Sequence, residues 1–144
     1  MTGRVAAVNI SEKKGQVKKP VDRGVLVKDF GLEGDAHGGS WHRQVSLLAQ
    51  ESIDKMKDLG IVGLCTGKFA ENITTEGIAL HTLGVGTRLK AGEAVLEISQ
   101  IGKECHRGCE ILKQVGKCIM PTEGIFARVI EGGEIKPGDK IEVL

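Results

Sequence analysis

Two hydrophobic periods run along this chain, and the two-residue period of strands dominates. Arg4 to Ile10 is rich in β-branched and small apolar residues, the pattern of a first strand. Ser11 to Lys19 is polar and lysine-bearing, which predicts a hairpin loop or an exposed edge. Pro20 to Lys28 alternates through Val21, Val25 and Val27 as another strand. Phe30 to Ser40 is punctuated by glycine and mixes acid, imidazole and apolar side chains, so it reads as a loop. Gln44 to Leu48 is short and apolar. Gln50-Glu51-Ser52 then opens a helical period carried by Ile53, Met56 and Leu59, with Gly60 as its stop.

A second loop through Gly63 and Gly67 leads to a strand over Asn72 to Thr75. Leu83 to Gly92 and Ala94 to Ile98 predict two strands around a turn. Ile125, Phe126, Val129 and Ile130 stand at helical offsets, with Pro121 suited to a first turn and Gly132-Gly133 to an end, so Pro121 to Ile130 is predicted helical. Lys136 to Lys140 is a turn and Ile141 to Val143 a last strand. Many short strands with one or two helices predict a mainly β fold with a few helices, a small β-barrel, in a single domain over residues 1–144.

Composition sharpens this picture. Glycine is 21 of 144 residues, about twice its usual share, as many tight turns require. Phe30, Phe69, Phe126 and Trp41 are the only aromatics, so the core is aliphatic and there is no platform for stacking bases. With 20 basic against 19 acidic residues, nothing points to an electrostatic hold on nucleic acid or an anionic membrane. No run approaches the roughly 18 apolar residues of a membrane span. Met1 to Asn9 lacks the longer apolar core of a secretory signal, and a cytoplasmic location is expected. Thiols then stay reduced, and clustered cysteines suggest metal or catalysis over a disulfide framework.

Such a cluster exists. Cys105, His106 and Cys109 lie together with Lys103 and Arg107, and Cys118 follows with Lys117 beside it. Thiols react as thiolates, and nearby cations favour that form, so Cys105 in its basic surround suits a sulfur nucleophile or a metal-bound thiolate. Cys105, Cys109 and Cys118 with His106 also make an incomplete structural zinc set. Cys109 and Cys118 read equally as small buried hydrophobes, and Cys65 as core or loop filler. A second constellation joins Asp35 and His37 in the glycine loop to Arg43, able to bind an anion, orient a base or ligate metal; a capped turn with a structural histidine is the plainer alternative. A third is the carboxylate and amide of Glu71 and Asn72 ahead of a strand.

Gly31-Leu-Glu-Gly-Asp35-Ala-His37, Arg43-Gln44-Val45, Ala70-Glu71-Asn72-Ile-Thr-Thr, Leu83-Gly-Val-Gly86 and Gly92 to Gln100, in this order and leading to Cys105, resemble the MOSC domain. That family is named after the C-terminal domain of molybdenum cofactor sulfurase. The segment from Cys105 to Cys109, with Gly116 to Ala127, resembles its short stand-alone bacterial branch. The family often has Pro before the key cysteine and Gly before the Glu-Asn pair, where this chain has Glu104 and Ala70. The resemblance implies a barrel of the MOSC, pyruvate-kinase β-barrel-like kind with Cys105 as its key cysteine. It implies a sulfur carrier that takes sulfane sulfur as a persulfide on Cys105 for a metal-sulfur or molybdopterin centre, with possible sulfurtransferase-like activity. Lys103, His106 and Arg107 would lower the thiol pKa, and Cys109 or Cys118 could resolve the persulfide. Asp35, His37, Arg43, Glu71 and Asn72 would form a polar wall that recognises a pterin phosphate or the acceptor. The partners implied are a cysteine desulfurase, which would hold the pyridoxal phosphate, or molybdenum-cofactor biosynthesis proteins. The alternatives are a passive molybdenum-cofactor binding module, or a structural zinc domain built on Cys105, Cys109 and Cys118.

Overall fold

A computed structural model describes residues 2–13, 18–36, 38–58, 71–102 and 124–144. Its spine is β1 (Thr2–Ile10), a strand long enough to serve three partners. Along one edge it pairs with β6 (Ile73–Glu76), Val8 opposite Ile73, with a bulge between Val5 and Ala7. Along the other edge it pairs first with β11 (Lys140–Val143) and then with β2 (Lys19–Val21). A bulge bends its strand and increases the local twist, which suits a sheet that must close on itself.

Closure runs through β7 (Arg88–Ala91), β8 (Ala94–Ile101), β9 (Ile125–Glu131) and β5 (Val45–Ala49). The order β1-β11-β7-β8-β9-β5-β6 returns to β1 and makes a closed seven-stranded barrel, with β2 added beside β1. All neighbours are antiparallel except β5 and β6, whose parallel pairing requires a crossover. Part of that crossover is the helix α1 (Gln50–Asp58), which packs on both strands and buries Ile53. A small second sheet sets β3 (Gly24–Val27) between β10 (Gly133–Ile135) and the two-residue β4 (Gly31–Leu32). Gly31, at φ 126°, lies so close to the backbone of Gln44 that a side chain there would collide with it.

The interior is aliphatic, as the scarcity of aromatics predicts. Val5, Val8, Val45, Leu47, Ile73, Leu89, Leu96, Ile98, Ile125 and Ile141 form one fully or almost fully buried cluster. The expected hairpin at residues 11–19 exists, Ile10 pairing with Lys19, and the expected single strand at 20–28 is split into β2 and β3. The expected helix ending at Ile130 is corrected to the strand β9. Ile125, Ala127 and Val129 point inward, while Phe126 on the opposite face is also buried. Apolar residues on both faces mimic helical offsets, and pairing with β5 and β8 decides the matter. Gly133, expected to end that helix, instead begins β10. The predicted helix stop at Gly60, the loop through Gly63 and Gly67, and Pro121 lie outside the described residues. No helix among the described residues is long and apolar enough to cross a membrane.

Candidate functional site

The side chains between the inward ones of a strand face outward, and here the outward positions of four strands align with the residue just before β6. Asn9 N–H donates to the Asn72 carbonyl at 2.6 Å, and Asn72 N–H to the Ser46 carbonyl at 2.9 Å. Ser46 lies opposite Phe126, and Phe126 opposite Gln100. Asn9, Asn72, Ser46, Phe126 and Gln100 therefore make one row across the outside of the barrel, on the order of 15–20 Å long at ordinary strand spacing. All but Gln100 are buried, although their inward neighbours Val8, Ile73, Val45 and Leu47 already fill the core.

The row is polar and its bonds interlock. Asn72 Oδ1 accepts from Ser46 N–H at 3.0 Å and from Ser46 Oγ at 3.2 Å, while Asn72 Nδ2 donates to the Asn9 carbonyl at 3.3 Å. Asn9 Nδ2 donates to Thr74 Oγ1 at 3.1 Å, and Thr74 Oγ1 donates to Glu71 Oε2 at 2.9 Å. At the Asn9 end the row meets a buried ion pair. Lys18 Nζ lies 2.7 Å from Asp35 Oδ1 and 3.1 Å from Ser11 Oγ, and neither charged side chain is exposed. Asp35 Oδ1 also accepts from Ser11 N–H at 3.0 Å, and the Asn72 side chain bonds the same carboxylate. Burial alone pushes the Asp35 carboxyl up. The Lys18 ammonium and the Ser11 and Asn72 donors outweigh it and hold Asp35 below the usual carboxylate range.

At the Gln100 end stands Arg43. Its Nε donates to Gln100 Oε1 at 3.1 Å, and its guanidinium carbon lies 5.1 Å from the centre of the Phe126 ring. The terminal nitrogens of this half-buried guanidinium carry no hydrogen bond among the described residues. Gln100 Nε2 continues the chain of bonds to the Gly102 carbonyl at 2.8 Å, and Gly102 N–H donates to the Gly124 carbonyl at 2.6 Å. Gly102 and Gly124 thus meet at the end of the row occupied by Arg43. Gln44, next to Arg43, is turned the other way, bonded to Asp29 Oδ1 at 2.8 Å and to Val129 N–H at 2.9 Å.

Of the residues singled out in the sequence, Asp35, Glu71 and Asn72 come together in one buried network, and Arg43 stands over the far end of the same row. His37, Lys103, Cys105, His106, Arg107, Cys109 and Cys118 lie outside the described residues, as does Cys65. Among the described residues no three His, Cys, Asp or Glu side chains form a metal-holding group. Lys18, Asn9, Ser46 and Gln100 are members of the network that sequence reasoning missed. Asn9 and Ser46 carry a usable signal: Ser46 is the lone polar residue of β5, and Asn9 interrupts the apolar run from Val5 to Ile10.

Residues 34–142 match the profile of the MOSC domain. The Bacillus subtilis (strain 168) protein YflK is 25% identical over 143 residues, covering 90% of this chain. The match spans only 63% of the length of YflK. In solved structures the fold is similar to that of the YUAD protein from Bacillus subtilis, with a TM-score of 0.82, 20% identity and coverage of 99% and 96% of the two chains. It is also similar to YiiM from Geobacillus stearothermophilus, with a TM-score of 0.76, 18% identity and coverage of 99% of this chain and 75% of that one.

Proposed function

Because this chain belongs to the MOSC-domain family, we propose that it carries sulfane sulfur as a persulfide on Cys105 for delivery to a metal-sulfur or molybdopterin centre. The Cys105 thiolate attacks the outer sulfur of a donor persulfide. A new S–S bond forms to Cys105, the donor's own S–S bond breaks, and the donor leaves as a thiolate. The donor is a cysteine desulfurase, and pyridoxal phosphate belongs to that partner. Residues 1–144 act in this reading as one domain.

The observation that supports the reading is the position of Arg43. The segment bearing Cys105 starts from Gly102, and three residues of chain reach at most about 11 Å. Gly102 is joined through Gln100 to a guanidinium whose terminal nitrogens are uncommitted among the described residues. A fixed cation beside a thiol favours the thiolate and, after loading, the anionic persulfide. The same guanidinium suits the phosphate of a molybdopterin acceptor, for which Arg presents paired donors. The Asp35, Glu71 and Asn72 network, interlocked through Lys18, Ser46 and Thr74, serves to hold that wall rigid. Lys103, His106 and Arg107 add positive charge to the segment itself.

The test is intact-mass analysis after incubation with a cysteine desulfurase and cysteine. Wild type gains the mass of one sulfur atom and Cys105→Ser does not. No gain, or the same gain in both, rejects the carrier. Stoichiometric zinc in the purified protein, with a large loss of stability on chelation, would instead favour the zinc domain on Cys105, Cys109 and Cys118.

A further inference from the structure

We infer that Lys18 is a positioning residue of this outer row, because its buried ammonium holds Asp35 as a pure acceptor for both the Ser11 backbone and the Asn72 amide. The role rests on reading the row as the functional surface, but the interaction itself is independent of sulfur chemistry. Lysine is almost never fully buried unless paired, and Lys18 is 1% exposed. Its partner Asp35 comes from the glycine loop after β4, so the pair joins the β1–β2 hairpin to that loop at 2.7 Å.

The chemistry turns on donors. The two carboxylate oxygens of Asp35 meet only donors at the named contacts: Lys18 Nζ, Ser11 N–H and the Asn72 amide. A proton on Asp35 would set a donor against one of these donors. Either Ser11 or Asn72 would lose its partner, and Asn72 is the residue that grips Ser46 in the middle of the row. Among the described residues the buried charged side chains are Lys18, Asp35 and Glu71. Glu71 accepts from Thr74, and among the described residues Lys18 is the buried cation facing Asp35. Its removal leaves the burial that pushes the Asp35 carboxyl up and takes away the ammonium that pulls it down, so the pKa rises.

The sign of the pH dependence then inverts. In the wild type the pKa of Asp35 is depressed, so its stabilisation is present above the usual value of 3.8 and is lost as pH falls through the lower folded value. In Lys18→Met the folded pKa is raised, so stability is best in acid and is lost as pH rises through the raised value.

The experiment is a carbon-13 titration of the Asp35 carboxyl in the full chain, read with the Asn72 side-chain amide and Ser46 amide resonances. Wild type and Lys18→Arg are expected to keep Asp35 ionised at neutral pH. Lys18→Met is expected to titrate Asp35 at higher pH, with the Asn72 and Ser46 signals moving along the same curve. Should Lys18→Met be unfolded at neutral pH, acidification or a second change, Asp35→Asn, is expected to restore folding. The inference is overturned if Asp35 in Lys18→Met titrates as in the wild type, if Asn72 and Ser46 ignore its titration, or if neither acid nor Asp35→Asn rescues an unfolded variant. Sulfur loading of Cys105, measured separately on the same samples, distinguishes failure of the carrier reading from failure of this one.

Discussion

The inside of the barrel and the Asn9 end of the row on its outer face are buried to the same degree and obey different rules. Leu47, Ile73 and Leu96 inside, and Asn9, Asn72 and Lys18 outside, all have 1% exposure or less. The inner residues are held by apolar burial and dispersion, which depend on volume and tolerate exchange among aliphatics. The outer ones are held by donors and acceptors, which allow no exchange without leaving a polar group unmet. A barrel needs only the first kind of layer to close. The second kind on its outside face, running from the Lys18–Asp35 pair to Arg43 and Gly102, is the part of the molecule that folding alone does not explain.

Substitutions in the two regions separate these rules. Leu96→Ala, at the centre of the core, is expected to have the largest effect on stability, about 2–5 kcal/mol by urea denaturation. The protein that remains folded is expected to load sulfur normally, since no group of the row is touched. Asn72→Ala removes the acceptor of Ser46 and the donors to Asn9 and Asp35. Each buried group left unmet costs about 1–3 kcal/mol, and here loading per folded molecule is expected to fall as well. Normal loading by folded Asn72→Ala would detach the row from function. Arg43→Gln is expected to be the mildest for stability, about 1 kcal/mol or less, because it removes one hydrogen bond and one contact with the Phe126 ring. A stability loss as large as that of Leu96→Ala would make Arg43 part of the core.

How much of this was legible depended on how local each signal is. The strands β1, β7, β8 and β11 and the helix α1 follow their own periodicity. The strand β9 did not, because Ile125, Phe126 and Val129 are buried on both faces and fit either period. Lys18 was hidden by its neighbours: amid Glu12, Lys13 and Lys19 it reads as a solvated loop residue. Its burial is set by an acid 17 residues away that only the folded hairpin brings near. Asp35, Glu71, Asn72 and Arg43 were reached through family resemblance, since spacing alone left each of them ambiguous. Their alignment with Ser46, Phe126 and Gln100 is a matter of strand register, and register between distant strands is not written in local sequence.

The claim that the row and its guanidinium form the wall against which Cys105 works is tested most directly by peptide-resolved mass spectrometry. Wild type, Arg43→Gln and Leu96→Ala would be incubated with a cysteine desulfurase and cysteine under conditions where each is folded, and sulfur mapped onto every cysteine. The account predicts sulfur on Cys105 in the wild type and in Leu96→Ala, with loading in Arg43→Gln slowed at least tenfold. Loading of Arg43→Gln at the wild-type rate, or sulfur spread evenly over Cys65, Cys105, Cys109 and Cys118, would contradict it.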